Sequence, residues 1–276
     1  MEISLGIPDE ASRAGRDCAG EQTDPGGRPR AVGARSARTA ADSVYCGAFA
    51  GSSRGGWWRR LLATVLQHFW FKCFGSVFFI GVFFAAYVFL LRNPVHPVHV
   101  MPVTLPDRWI HFSPVALPVY LSLWAYISLP AMLAETREEI VRYGVWMAAI
   151  CISGLTVFYF WPTAIPPENI RWERYPGMAF LKGADAAGNA FPSLHVATAV
   201  FAAIRLNAVL RKIGCSIRVR GISVLWAAGI VLSTLATKQH LAIDVAGGIV
   251  LALGFAFLSR RMPEGCGGGD RGRYCG

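Results

Sequence analysis

Apolar residues in this chain gather into six runs separated by shorter polar intervals. The runs fall at about 73–91, 114–134, 143–161, 192–210, 222–237 and 240–258. About 20 apolar residues in a helix span the hydrocarbon core of a bilayer, so the pattern predicts six membrane-crossing helices and an all-α integral membrane six-helix bundle. Local signals sharpen the ends. Trp57-Trp58-Arg59-Arg60 joins interfacial aromatic rings to cations, and residues 61–72 make an amphipathic lead-in. Arg92-Asn93-Pro94 stops the first helix, Pro118 and Pro130 predict kinks in the second, and Lys238-Gln239 makes a tight connection before the sixth. Arg205, near the end of the fourth run, is expected to snorkel toward the cytoplasmic face.

The polar remainder sets the domain organisation. Residues 1–56 are rich in Gly, Ala, Arg, Ser and Asp and read as a disordered cytoplasmic tail. Residues 57–262 form the six-span domain, and 263–276 a flexible Gly-rich tail expected in the cytoplasm. The first long run follows the arginine-bearing tail and reads as a retained signal-anchor helix. The interior connection at 162–190 is too long for a simple turn, a length that often carries function.

Composition changes the picture in two ways. Of the 276 residues, 54% are hydrophobic and 16% charged, with a mean hydropathy of +0.40, which excludes an ordinary soluble domain. The formal charge of +10 would suit nucleic acid, but the cations flank the apolar runs without interleaved aromatics, so no nucleic-acid partner is expected. One set of connections holds the N-terminal tail, Arg137, Arg142, Arg211, Lys212, Arg218, Arg220, Arg260 and Arg261; the other holds Arg92, Arg108, Arg171, Arg174, Lys182 and Lys238. The richer set marks the cytoplasmic side, which puts both termini inside, in what is expected to be a bacterial cytoplasmic membrane. The seven cysteines contain no Cys-x-x-Cys pair, and none falls in a connection assigned outside. His96, His99 and His111 fit no helix face and have no carboxylate cluster beside them, so no metal and no cofactor is expected there or elsewhere.

The chemistry converges on two helix starts. Asp244 is the only carboxylate within the six predicted spans, and an ionisable group at membrane depth marks function by default. His240 stands four residues earlier, on the same predicted helical face, where the carboxylate can hold one ring nitrogen and leave the other free to react. Phe191-Pro192-Ser193-Leu194-His195 opens the fourth helix at the same membrane surface, with Pro192 expected at the first helical position. Two helix N-termini, with free N–H groups and positive dipole ends, suit phosphate. Ser193 adds a hydroxyl; Lys238, Arg171, Arg174 and Lys182 supply candidate phosphate-binding charge. His240 held by Asp244 can attack phosphorus to give a phosphohistidine, and His195 can serve as general acid and then base. No metal is required, because helix ends and cations neutralise the developing charge.

Pro192-Ser193-Leu194-His195 resembles the Pro-Ser-x-His motif of the type 2 phosphatidic acid phosphatase superfamily, and the run from Ser233 through His240 to Asp244 resembles its Ser-Arg-x5-His-x3-Asp motif. The resemblance covers roughly residues 70–260 and implies a bundle of the lipid phosphate phosphatase type. It implies His240 as nucleophile, Asp244 as its partner, His195 as general acid/base and Ser193 as a phosphate contact. Thr234 stands where the motif arginine is usual, and Leu194 where a glycine is usual. The family's first motif, a Lys and an Arg-Pro pair, is not recognisable; Trp161-Pro162-Thr163-Ala164-Ile165-Pro166-Pro167 instead resembles the inositolphosphorylceramide-synthase-like, inositol phosphotransferase branch. The expected partners are the bilayer and a membrane lipid or polyprenyl phosphate, and the expected activity is a hydrolase or transferase of lipid metabolism facing outward. Thr234 motivates an alternative, a non-catalytic lipid-phosphate binder or transporter on the same scaffold.

Overall fold

In a bilayer every backbone N–H and C=O must find its partner within the segment, so long apolar runs fold as helices. The structure is a computed structural model and describes residues 57–184 and 188–261; the tails expected at 1–56 and 263–276 lie outside the described residues. In chain order, α1 (Trp57–Leu66) leads into α2 (Phe69–Arg92), followed by β1 (His99–Val100) and α3 (Leu105–Trp109). The second span is a composite of a 3-10 turn (Pro114–Ala116), α4 (Leu117–Leu121) and α5 (Leu123–Met132). Then come α6 (Arg137–Phe160), β2 (Thr163–Ala164), a 3-10 turn (Trp172–Arg174), α7 (Pro176–Ala184), α8 (Leu194–Lys212), α9 (Ile217–Ala236) and α10 (Ala242–Arg261). Six segments are long and apolar enough to cross a membrane: α2, the Pro114–Met132 composite, α6, α8, α9 and α10.

The ends differ from the apolar edges because caps, not hydropathy, set them. α6 starts at Arg137, six residues before the apolar run read at 143. Thr136 accepts from the Glu139 N–H at 3.2 Å while the Glu139 carboxylate accepts from the Glu135 and Thr136 N–H groups. Ser216 likewise caps α9 and carries it back to Ile217. α1 and α2 are separate helices, divided at His68, whose φ is 57°.

α8 is the hub. It packs against α10, α9, α5 and α6, and half of its apolar window is buried, against 6% of that of α2. Its buried positions Ala197, Phe201, Ala202, Leu206 and Leu210 run along the core-facing side, and Phe201 stacks on Tyr143 of α6. α10 approaches the first turn of α8 most closely at Gly248. A Cβ there would lie 2.5 Å from the Ser193 carbonyl oxygen and 3.2 Å from the Ala197 nitrogen. Small residues let membrane helices close in this way, and the contact sets Asp244 of α10 beside Ser193: the Ser193 N–H donates to the Asp244 carbonyl at 3.0 Å.

The connections at this end of the bundle are tied together. β1 and β2 pair in parallel, His99 with Thr163 and Val100 with Ala164. Ala164 also bridges to Gly188, and the Ser113 N–H donates to the Ala236 carbonyl at 2.9 Å. The described part of the long connection, 162–184 and 188–190, is thus a folded structure, not a bare loop.

Gly248→Ala is expected to cost about 1–3 kcal/mol, the usual penalty of overpacking, read as a lower thermal unfolding midpoint in detergent. Gly254→Ala, where an added carbon meets nothing within 4 Å, is expected not to lower it.

Candidate functional site

Two helix starts frame the site, and each is built differently from the sequence reading. Ser193 is the N-cap of α8, its Oγ accepting from the Val196 N–H at 3.3 Å. Pro192 therefore lies just outside the helix, because a hydroxyl cap claims the boundary position that was assigned to it. α10 begins at Ala242, so His240 precedes the helix and shares no helical face with Asp244. The cause is the turn after α9. Lys238 adopts a left-handed φ of 53°, and the Thr234 carbonyl accepts from both the Gln239 and the His240 N–H groups, at 3.0 and 3.2 Å.

Two of the amides at the start of α10 are already taken. Asp244 Oδ2 accepts from the Leu241 N–H at 2.8 Å, and Asp107 Oδ1, from α3, accepts from the Ala242 N–H at 2.7 Å. The other Asp107 oxygen accepts from the Thr104 N–H and hydroxyl at 2.7 and 2.6 Å. Two carboxylates have claimed these donors, the natural partners of a helix start. At α8 the Leu194 and His195 N–H groups have no acceptor among the described residues.

Between these starts the side chains form a directed chain. Tyr120 OH lies 2.8 Å from His195 Nε2, His195 Nδ1 lies 3.2 Å from His240 Nε2, and His240 Nδ1 lies 3.8 Å from Asp244 Oδ2. A bare Nδ1 on His240 would set two acceptors against each other, so its proton belongs on Nδ1, facing the carboxylate. Nε2 of His240 is then a lone pair. It accepts from the His195 Nδ1–H, and His195 Nε2 accepts from the Tyr120 hydroxyl. Asp244 is fully buried and His240 is 7% exposed. His240 Nδ1 and Asp244 Oδ1 have no hydrogen-bond partner among the described residues. At 3.8 Å the ring nitrogen and the carboxylate face each other beyond hydrogen-bond distance.

The cations are placed unequally. Lys238 Nζ donates to the Asp107 and Ile110 carbonyls at 3.0 and 2.8 Å. Lys182 Nζ donates to the Lys238 carbonyl at 2.7 Å and lies 5.1 Å over the Trp172 ring. Arg171 and Arg174 are exposed and do not line the cavity that holds the histidines. The structure therefore brings together His195, His240, Asp244 and Ser193, keeps Lys238 and Lys182 beside the His240 turn, and leaves both arginines apart. His96 and His99 lie against Phe160 and Trp161, and among the described residues no three His, Cys, Asp or Glu side chains gather as metal ligands do.

That cavity has a volume of about 250 Å³. Tyr120, Asn189, His195 and His240 stand on its wall together with Phe79, Phe83, Phe84, Tyr87, Trp124 and Phe158. Sequence reasoning missed Tyr120, Asn189 and Asp107. Asp107 alone carried a local signal, since Thr104 three residues before it is a capping pattern.

A family model described as the PAP2 superfamily matches residues 96–258. No curated protein and no solved structure matches the chain.

Removing the Tyr120 hydroxyl takes from His195 Nε2 a hydrogen bond worth about 1 kcal/mol. In histidine-15N-labelled protein, His195 is expected to hold its proton on Nδ1, and Tyr120→Phe is expected to shift the tautomer ratio by roughly fivefold, read from the ring nitrogen shifts.

Proposed function

From the premise that the chain belongs to the PAP2 superfamily, whose members are generally phosphatases, we propose that it cleaves or transfers a lipid-linked phosphate ester through a phosphohistidine. The observation that carries this reading is the chain Tyr120–His195–His240–Asp244 on the wall of an otherwise apolar cavity. His240 Nε2 attacks phosphorus at the position where it now accepts from His195, and the P–O bond to the leaving group breaks. The departing oxygen takes the proton from His195 Nδ1. Asp244 stabilises the positive charge that builds on the His240 ring. Water or an alcohol then gives its proton to His195 and attacks phosphorus, and the N–P bond breaks to restore His240.

Charge on the phosphoryl oxygens is met by fixed donors. Ser193 Oγ accepts from the Val196 N–H, and its own proton is available to donate, together with the Leu194 and His195 amides. Of the four loop cations, Lys182 and Lys238 stand beside the His240 turn and supply field; Arg171 and Arg174, exposed and off the cavity wall, are left without a phosphate contact in this reading. The apolar wall suits a lipid or polyprenyl tail kept in the bilayer. The cation distribution supports a topology with both termini cytoplasmic and the site on the opposite face, in what this reading takes as a bacterial cytoplasmic membrane. With water as acceptor the protein is a lipid phosphatase; with inositol or another alcohol it is a phosphotransferase. Thr234, buried and with its hydroxyl donating to the Val231 carbonyl at 2.7 Å, supports one other reading, a non-catalytic binder of lipid phosphates.

The test is turnover of a lipid-phosphate panel, with and without alcohol acceptors, by purified protein in EDTA. Phosphate release or headgroup transfer is expected, abolished in His240→Ala and lowered by about 10²–10⁴ in His195→Ala. Unchanged turnover in His240→Ala would overturn the site, and binding without turnover in the wild type would favour the binder.

A further inference from the structure

Asn189 stands on the cavity wall with both histidines and has no role in the steps above. It is 5% exposed, and its Nδ2 has no hydrogen-bond partner among the described residues. Leaving a carboxamide donor buried and unpaired is costly unless a ligand completes it. Its backbone is unusual as well, with φ at 52°, in the left-handed region. Among non-glycine residues Asn adopts that region most readily, so the position combines a backbone demand with a polar side chain on the wall of the cavity that holds both histidines.

The segment around it is held from both sides. The Ala190 N–H donates to the Thr163 carbonyl at 3.3 Å, and the Phe191 N–H donates to Thr163 Oγ1 at 2.8 Å. On the other flank Gly188 bridges to Ala164. Thr163 is fully buried, and β2 is itself paired to β1. Asn189 is thus strapped in place with its amide unsatisfied, the reverse of what a merely structural asparagine shows.

The site also has a donor to replace. Thr234 stands where the motif arginine is usual, carries no charge and directs its hydroxyl back to Val231. The Lys238 ammonium is held by two carbonyls. We propose that Asn189 is a phosphate-binding residue whose carboxamide NH₂ donates to a non-bridging phosphoryl oxygen of the substrate, taking over contacts that the arginine position no longer supplies. Oxygen and nitrogen of the amide are close in size and its terminal torsion is broad, so the group turns its NH₂ toward the ligand without repacking. The assignment rests on the phosphate-ester reading of the same site.

Two variants respect the left-handed backbone. Asn189→Gly removes the amide, and Asn189→Asp replaces the donor with an anionic oxygen of the same shape. Two readouts apply to full-length protein in detergent: turnover of the lipid-phosphate panel, and binding of orthovanadate, a mimic of the phosphoryl transition state, by calorimetry. Asn189→Gly is expected to lower kcat and vanadate affinity by roughly a hundredfold, the scale of one lost oxyanion donor. Asn189→Asp is expected to lower both further, with the unfolding midpoint of each variant near that of the wild type. If Asn189→Asp fails to fold, Asn189→Gly decides alone. Wild-type kcat and vanadate affinity in the variants, beside turnover that His240→Ala abolishes, would overturn the role of Asn189 and leave the proposed function standing. A wild type that neither turns over the panel nor binds vanadate would overturn both. Vanadate binding weakened in Asn189→Asp, without turnover in the wild type, would support the donor role and sink the enzyme reading.

Discussion

A carboxylate with no solvent around it is the constraint that organises this structure. Burying an ion is expensive unless hydrogen bonds and nearby charge compensate, and the side chain of Asp244 is wholly buried. One oxygen takes the Leu241 N–H, and the residue's carbonyl takes the Ser193 N–H. The first bond fixes the start of α10 and the second ties it to the start of α8, an approach that is possible because Gly248, one turn on, has no side chain to keep the backbones apart. From that junction the rest follows: Ser193 caps α8, His195 sits on its first turn, and His240 arrives from the preceding turn with one ring nitrogen toward the carboxylate and the other toward His195.

The six spans were legible because a membrane leaves little choice: long apolar runs between charged intervals become helices. Their ends were not, because Thr136 and Ser216 extend α6 and α9 into charged sequence that hydropathy excludes. The pairing of Ser193, His195, His240 and Asp244 was legible from their motifs. Their local geometry was not. The expected one-turn spacing of His240 and Asp244 fails because the Thr234 carbonyl collects two N–H groups and delays the helix to Ala242. Tyr120 reaches His195 across 75 positions, and Asp107 reaches Ala242 across 135. No local pattern encodes such contacts; they exist once the bundle has closed.

Handling an anion with few cations is consistent with this arrangement. Asp244 and Asp107 have taken the Leu241 and Ala242 amides at the start of α10, so part of the positive end of that helix stabilises the protein's own carboxylates. Among the donors left over are the Leu194 and His195 amides of α8 and the Asn189 carboxamide of the strapped segment before it. Each is a fixed dipole, held by caps and strands before any ligand arrives, and pre-oriented dipoles in a water-poor site act without the reorganisation that mobile side chains require.

The bridge from Ala164 to Gly188 has a wider meaning. It joins the two ends of an excursion that contains the Trp172–Arg174 turn, α7, both exposed arginines and Lys182. A chain pinned at its base can lengthen, shorten or change sequence at small entropic expense, since closure depends only weakly on loop length. His195, His240 and Asp244 lie outside that excursion. Related chains are therefore free to exchange this excursion wholesale while the two helix starts beside its base stay as they are.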